Sequence, residues 1–101
     1  MKLENEAIER GSRYFEYKMP DGSFYQGYIM KTKKQGPGIV KYNDKSFYEG
    51  EWKEDVRDGR GKMQFENGDV YEGRWDNDQM NGYGVLTCKN GDRYEGKWLN
   101  G

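Results

Sequence analysis

The chain contains no histidine and a single cysteine, Cys88, among its 101 residues. Without histidine it lacks the commonest general base and metal ligand of protein sites. A lone thiol cannot build a disulfide framework and suits a reducing compartment. No stretch is apolar for long enough to cross a membrane as a helix, and the opening MKLENEAIERGS carries no run resembling a secretory signal. There is no Asn-x-Ser/Thr acceptor either, so the cytoplasm is the expected compartment. Neither sign of charge dominates: 17 Lys and Arg stand against 18 Asp and Glu, for a formal net charge of −1. That balance offers no global field to draw nucleic acid or an anionic surface.

Aliphatic residues are scarce as well, since fewer than one residue in five is Leu, Ile, Val or Phe. Poverty of that kind accompanies disorder, but disordered chains are also poor in aromatics and rich in net charge. Here aromatics reach 16%, with nine Tyr and three Trp, and the 15 glycines come with only two prolines. The chain is therefore read as one folded domain whose apolar surface is aromatic and whose glycines are placed for shape.

Those residues recur with a period of 23. Tyr25-Gln-Gly27, Tyr48-Glu-Gly50, Tyr71-Glu-Gly73 and Tyr94-Glu-Gly96 follow one another at that step. Trp52, Trp75 and Trp98 keep the same spacing, with Ile29 in the first slot, and so do the pairs Gly36/Gly38, Gly59/Gly61 and Gly82/Gly84. Within a unit, Tyr48, Gly50 and Trp52 alternate with Glu49, Glu51 and Lys53, which is the period of a strand with one apolar and one polar face.

The register follows from the turns. A three-residue loop at Glu66-Asn67-Gly68, with Gly68 left-handed, sets Met63 opposite Tyr71, Gly61 opposite Gly73 and Gly59 opposite Trp75. A two-residue loop would put Tyr71 opposite Gln64, on the polar face, and a one-residue slip inverts every side chain. Asn43-Asp44-Lys45, with Lys where glycine is wanted, predicts a different turn. Inside a unit, residues 53–58 are expected to form a longer loop, pairing Trp52 with Gly59, Gly50 with Gly61 and Tyr48 with Met63. Three rows then cross the sheet. One alternates Trp or Ile with glycine. One is all glycine, through Gly27, Gly38, Gly50, Gly61, Gly73, Gly84 and Gly96. The third runs Tyr25, Val40, Tyr48, Met63, Tyr71, Leu86 and Tyr94. Rings are expected over the bare glycines, those of Tyr71 and Trp75 over Gly61 and Gly73. On the polar face Glu49 and Glu72 flank Lys62, and Glu51 faces Arg60, as solvated pairs.

Tyr-Glu-Gly-x-Trp, then Gly-x-Gly, an apolar strand and Asn-Gly-Asp before the next Tyr, resembles the MORN repeat. The resemblance covers residues 14–101, as a half-repeat at 14–24, repeats starting at 25, 48 and 71, and a truncated one at 94. It implies an all-β fold: an elongated, twisted, single-layer antiparallel sheet of consecutive β-hairpins. It further implies a scaffold in cytoskeletal, ciliary or membrane-junction assemblies, or an appendage of a phosphoinositide kinase or lysine methyltransferase. Residues 1–13 stand apart, and Leu3, Ala7 and Ile8 predict a short helix over residues 3–10.

The expected function is a non-catalytic interaction module with no cofactor, no metal and no nucleic-acid partner. Its candidate site is the aromatic groove of Tyr25, Tyr48, Trp52, Tyr71, Trp75, Tyr94 and Trp98, offered to a peptide strand or a helix. The same rings are equally the residues a single sheet must bury to have a core. Residues 92–99 form a thinly protected outer strand through which the chain is expected to self-associate. An alternative is membrane attachment, with Lys31, Lys33 and Lys34 as an anionic-lipid patch, although three lysines fall short of the four to eight such patches use. Cys88 reads as a small hydrophobe. Catalysis finds no phosphate loop, and the Gly-x-Gly pairs lie in strands rather than opening helices.

Overall fold

The computed structural model describes residues 11–99, so the helix expected over residues 3–10 lies outside the described residues. Eight antiparallel strands follow one another in chain order across one open sheet. They are β1 (Arg13–Lys18), β2 (Phe24–Met30), β3 (Lys33–Lys41), β4 (Phe47–Lys53), β5 (Val56–Gln64), β6 (Val70–Asp76), β7 (Gln79–Thr87) and β8 (Arg93–Trp98). No helix occurs among the described residues.

Two of the three rows stand as read. Glycine faces glycine from Gly27 through Gly38, Gly50, Gly61, Gly73 and Gly84 to Gly96, and the row from Tyr25 to Tyr94 keeps its order. The hairpins between repeats close as the glycine signal requires: the Phe65 N–H donates to the Asp69 carbonyl at 2.8 Å, with Gly68 at φ +96°. An Asx turn locks each one, the Asn67 side chain accepting from the Asp69 N–H at 2.9 Å and Asp21 from the Ser23 N–H at 2.9 Å. The turn at Asn43-Asp44-Lys45 does not differ. Lys45 takes the glycine's place at φ +76°, and the Tyr42 N–H still reaches the Ser46 carbonyl at 2.9 Å. A left-handed conformation costs lysine energy without forbidding it.

The third row is corrected. Residues 53–58 are not a loop: β4 runs to Lys53, turns through Glu54 and Asp55, and β5 begins at Val56. Trp52 faces Arg57, not Gly59, and the equivalent pairs are Ile29 with Lys34 and Trp75 with Met80. A bulge absorbs the difference, with residues 58–60 standing opposite Glu51 alone. Glu54 and Asp55 both have positive φ, as do Asn77 and Asp78, which is the two-residue turn that matches strand twist. The first glycine of each Gly-x-Gly pair therefore has a conformational task, since Gly36, Gly59 and Gly82 sit in their bulges at φ +93°, +104° and +102°.

The core lies on one face of the sheet. Tyr25, Ile29, Val40, Tyr48, Trp52, Met63, Tyr71 and Trp75 are buried there, with Met19, Tyr42, Phe65, Met80, Leu86 and Trp98 packed against them.

Candidate functional site: an aromatic ladder and its open ends

The tyrosines and tryptophans interlock edge to face along this side of the sheet. Ring centroids lie 6.2 Å apart for Tyr25–Trp52, 5.0 Å for Tyr48–Trp52, 5.3 Å for Tyr48–Trp75, 5.5 Å for Tyr71–Trp75 and 5.6 Å for Tyr71–Trp98. The near-perpendicular geometry sets each positive ring edge on a negative face, worth about 0.5–1.5 kcal/mol per pair beyond the buried area.

Their polar atoms are spent inside the array. The Tyr48 hydroxyl donates to the Glu51 carbonyl at 2.9 Å, and Tyr25 and Tyr71 repeat this on Tyr28 and Arg74 at 2.7 and 3.0 Å. Each of those residues stands opposite a bulge. The Trp52, Trp75 and Trp98 indole N–H groups donate to the carbonyls of Gly38, Gly61 and Gly84 at 3.1, 3.3 and 3.2 Å. Burial raises the pKa of the Tyr25, Tyr48 and Tyr71 hydroxyls, desolvation being the largest cause in each.

The glycine row makes this closeness attainable, but with a different partner from the expected one. A Cβ at Gly61 would meet the Tyr48 ring and hydroxyl rather than Tyr71 or Trp75, and at Gly38 and Gly84 it would meet Tyr25 and Tyr71. At Gly27, Gly50 and Gly73 the obstacles are the facing backbone and the hydroxyls of Tyr25, Tyr48 and Tyr71, the last being one of the rings expected at Gly73, while Gly96 has open space around it.

The seven residues read as a groove are therefore placed unequally. Tyr25, Tyr48 and Tyr71 are 0% exposed and Trp52 and Trp75 are 5% exposed, whereas Tyr94 is 54% exposed and Trp98 half-buried. Tyr14, Phe15 and Tyr17 on β1 and Leu99 after β8 are exposed too. The ladder is filled along its middle and open at its two outer strands.

Sequence reasoning missed two side chains that close the middle. The Lys34 ammonium stands 5.7 Å from the Tyr25 ring centre and 5.2 Å from that of Trp52. One period later, the Arg57 guanidinium stands 5.9 Å from Tyr48 and 4.8 Å from Trp75. A carboxylate from the following turn holds each: Lys34 to Asp55 at 3.3 Å and Arg57 to Asp78 at 3.0 Å. The backbones are clasped as well, the Asp55 N–H donating to the Lys34 carbonyl at 3.0 Å and the Lys34 N–H to the Asp55 carboxylate at 2.8 Å. The available signal was a basic residue and an aspartate, each repeating at 23 and set 21 apart.

This placement divides the three lysines read as a lipid patch. Lys31 and Lys33 are exposed, while Lys34 turns onto the rings. On the polar face Lys62 stands opposite Glu49 and Glu72 as expected, whereas the Glu51 carboxylate accepts from the Arg60 backbone N–H at 2.8 Å. Half-buried Cys88 has its thiol pKa pushed up by desolvation and by Asp69 and Asp92, the opposite of an activated nucleophile. Among the described residues, no three His, Cys, Asp or Glu side chains stand together as metal ligands.

A search of curated proteins found no match. The family model described as the MORN repeat matches residues 48–70 and 71–93, two adjoining units of 23. Those two units are MORN repeats, and with hairpins of the same register on both sides of them, in one open antiparallel sheet, the described chain has the MORN-repeat fold.

Proposed function

We propose that the chain is a non-catalytic interaction module that holds a protein partner against the aromatic surface of its outer strands. One observation carries this reading. The ladder covers itself in the middle yet leaves Tyr94 exposed and Trp98 half-buried at one end, with Leu99 exposed beyond them, and Phe15 and Tyr17 exposed on the same face at the other end. Clustered exposed aromatics are favoured anchors for partners. Among the described residues the backbone of β8 is paired on one side only, to β7, so a partner strand or a second copy of this chain has hydrogen-bonding groups to meet. The setting this suits is a cytoplasmic scaffold attached to cytoskeleton, cilium or membrane junction, or the targeting part of a larger enzyme. A phosphoinositide-binding role draws less support, because Lys34 is engaged with rings and carboxylate and leaves only Lys31 and Lys33 of its group at the surface.

The test is cross-linking and mass spectrometry on the captured complex, with light scattering to follow self-association. Trp98→Lys and Tyr94→Lys should release the partner or reduce any self-association. Tyr83→Lys, at an exposed tyrosine on the polar face, should not. A complex cross-linked only through the polar face, and unchanged by Trp98→Lys, would sink the proposal.

A further inference from the structure

The internal repeats show what chemistry the ladder accepts between its rings. In two successive units the tyrosine of one strand and the tryptophan two strands on receive a cation from the strand between them. Lys34 of β3 lies between Tyr25 of β2 and Trp52 of β4, and Arg57 of β5 between Tyr48 of β4 and Trp75 of β6. The third place is built from the same parts, Tyr71 of β6 and Trp98 of β8, with ring centroids 5.6 Å apart in the same edge-to-face setting. Its middle strand, β7, brings Met80, which faces Trp75 as Arg57 faces Trp52. Among the described residues no cation lies over Tyr71 or Trp98.

We propose that this third rung takes its cation in trans: a lysine or arginine side chain from the partner protein takes the place of the Met80 side chain beside the Tyr71 and Trp98 rings. The proposal rests on the interaction-module reading and names the chemistry of that partner. Complementarity argues for it, since ring faces are negative and attract ammonium and guanidinium groups. The two occupied rungs show that this geometry admits either cation. Exposure argues for it too, because Trp52 and Trp75 beneath their cations are 5% exposed while Trp98 is only half-buried. Met80 is no rigid plug: its side chain is unbranched and readily repacked, and it is itself only partly buried. A neutral apolar side chain would meet the same rings without the electrostatic attraction, so charge is the property the experiment must isolate.

The three indole N–H resonances report on the three rungs separately, each donated to its own glycine carbonyl. The probe is an acetylated, amidated Gly-Arg-Gly peptide, followed in nitrogen–proton correlation spectra, with the same peptide carrying neutral citrulline as control. The Trp98 resonance should shift in a saturable way with the arginine peptide, at least fivefold more than with citrulline. Trp52 and Trp75 should stay still. Met80→Arg supplies the cation from the chain itself and should abolish the Trp98 response. Arg57→Met opens the second rung and should make Trp75 respond. Equal shifts with citrulline, or a Trp98 response that survives Met80→Arg, would overturn the proposal. A chain that still captures its partner through β8 while Trp98 ignores the arginine peptide would overturn it alone and leave the interaction-module reading in place.

Discussion

The rungs centred on Trp52 and Trp75 and the one centred on Trp98 share strand order, register and ring geometry, yet they are covered differently. The first two have a cation over the rings and an aspartate clasping that cation from the next turn. The third has Met80 and remains partly open. Two things differ at the third: Met80 stands where the others have Lys34 and Arg57, and among the described residues β8 is paired to β7 alone, whereas β4 and β6 have neighbours on both sides. A repeat array can thus tune local stability and exposure without changing its fold.

The comparison is broken most severely by removing a ring. Trp75→Ala should cost about 3–5 kcal/mol, as buried large-to-small changes do, whereas Trp98→Ala should cost about 1–2 kcal/mol because less area is lost from burial. Urea denaturation of both variants measures the gap, and equal losses would show that the end rung is as well covered as the middle. Next comes the glycine row. Gly61→Val forces a branched side chain into the Tyr48 ring and hydroxyl and should cost at least about 3 kcal/mol, at the top of the usual overpacking range. An unchanged urea midpoint would contradict the ring placement.

A smaller change should sharpen the contrast by strengthening one turn. Lys45 sits at φ +76° where three equivalent turns use glycine at +96°, +96° and +100°. Lys45→Gly should therefore stabilise by about 1 kcal/mol, raising Tm by roughly 4–8 °C for a domain of this size. A fall in Tm would mean that the lysine side chain contributes more than its backbone costs.

The smallest effect separates the turns by pH. Ser23 holds the Asp21 carboxyl below its usual range, chiefly through its hydroxyl and then its N–H, and Ser46 does the same for Asp44. A depressed folded-state pKa contributes stability above the unfolded value and loses it as pH falls through the folded one. The Ser23 and Ser46 amides should therefore lose protection below about pH 4. The Asp69 and Asp92 amides, held by the neutral side chains of Asn67 and Asn90, should change less. Amide exchange across pH 3–6 reads this directly, and parallel loss at all four turns would exclude the carboxylate hydrogen bonds as its cause.

Much of this was legible in the chain. The period of 23 placed the hairpins, and the Asn-Gly turns set the register to the residue, because a slip would have turned Tyr71 onto the polar face. The within-repeat turn was not read. Its residues, Glu54 and Asp55, carry no glycine to announce positive φ, and the glycine that did mark the irregularity, Gly59, lies four residues on in the bulge. Exposure of the rings was also beyond reach, since the same Tyr and Trp pattern yields a fully buried Tyr48 and an open Tyr94.

By itself, then, the order of residues determined which strands pair and which side chains share a face, because the period of 23 and the Asn-Gly turns between repeats are local signals. Only the tertiary structure decided that Tyr48 packs over Gly61, that Lys34 and Arg57 fold onto rings two strands apart, and that Trp98 of the last rung stays half-buried. Those contacts join different strands, and side-chain direction across a bulged, twisted sheet is settled by space and charge in three dimensions.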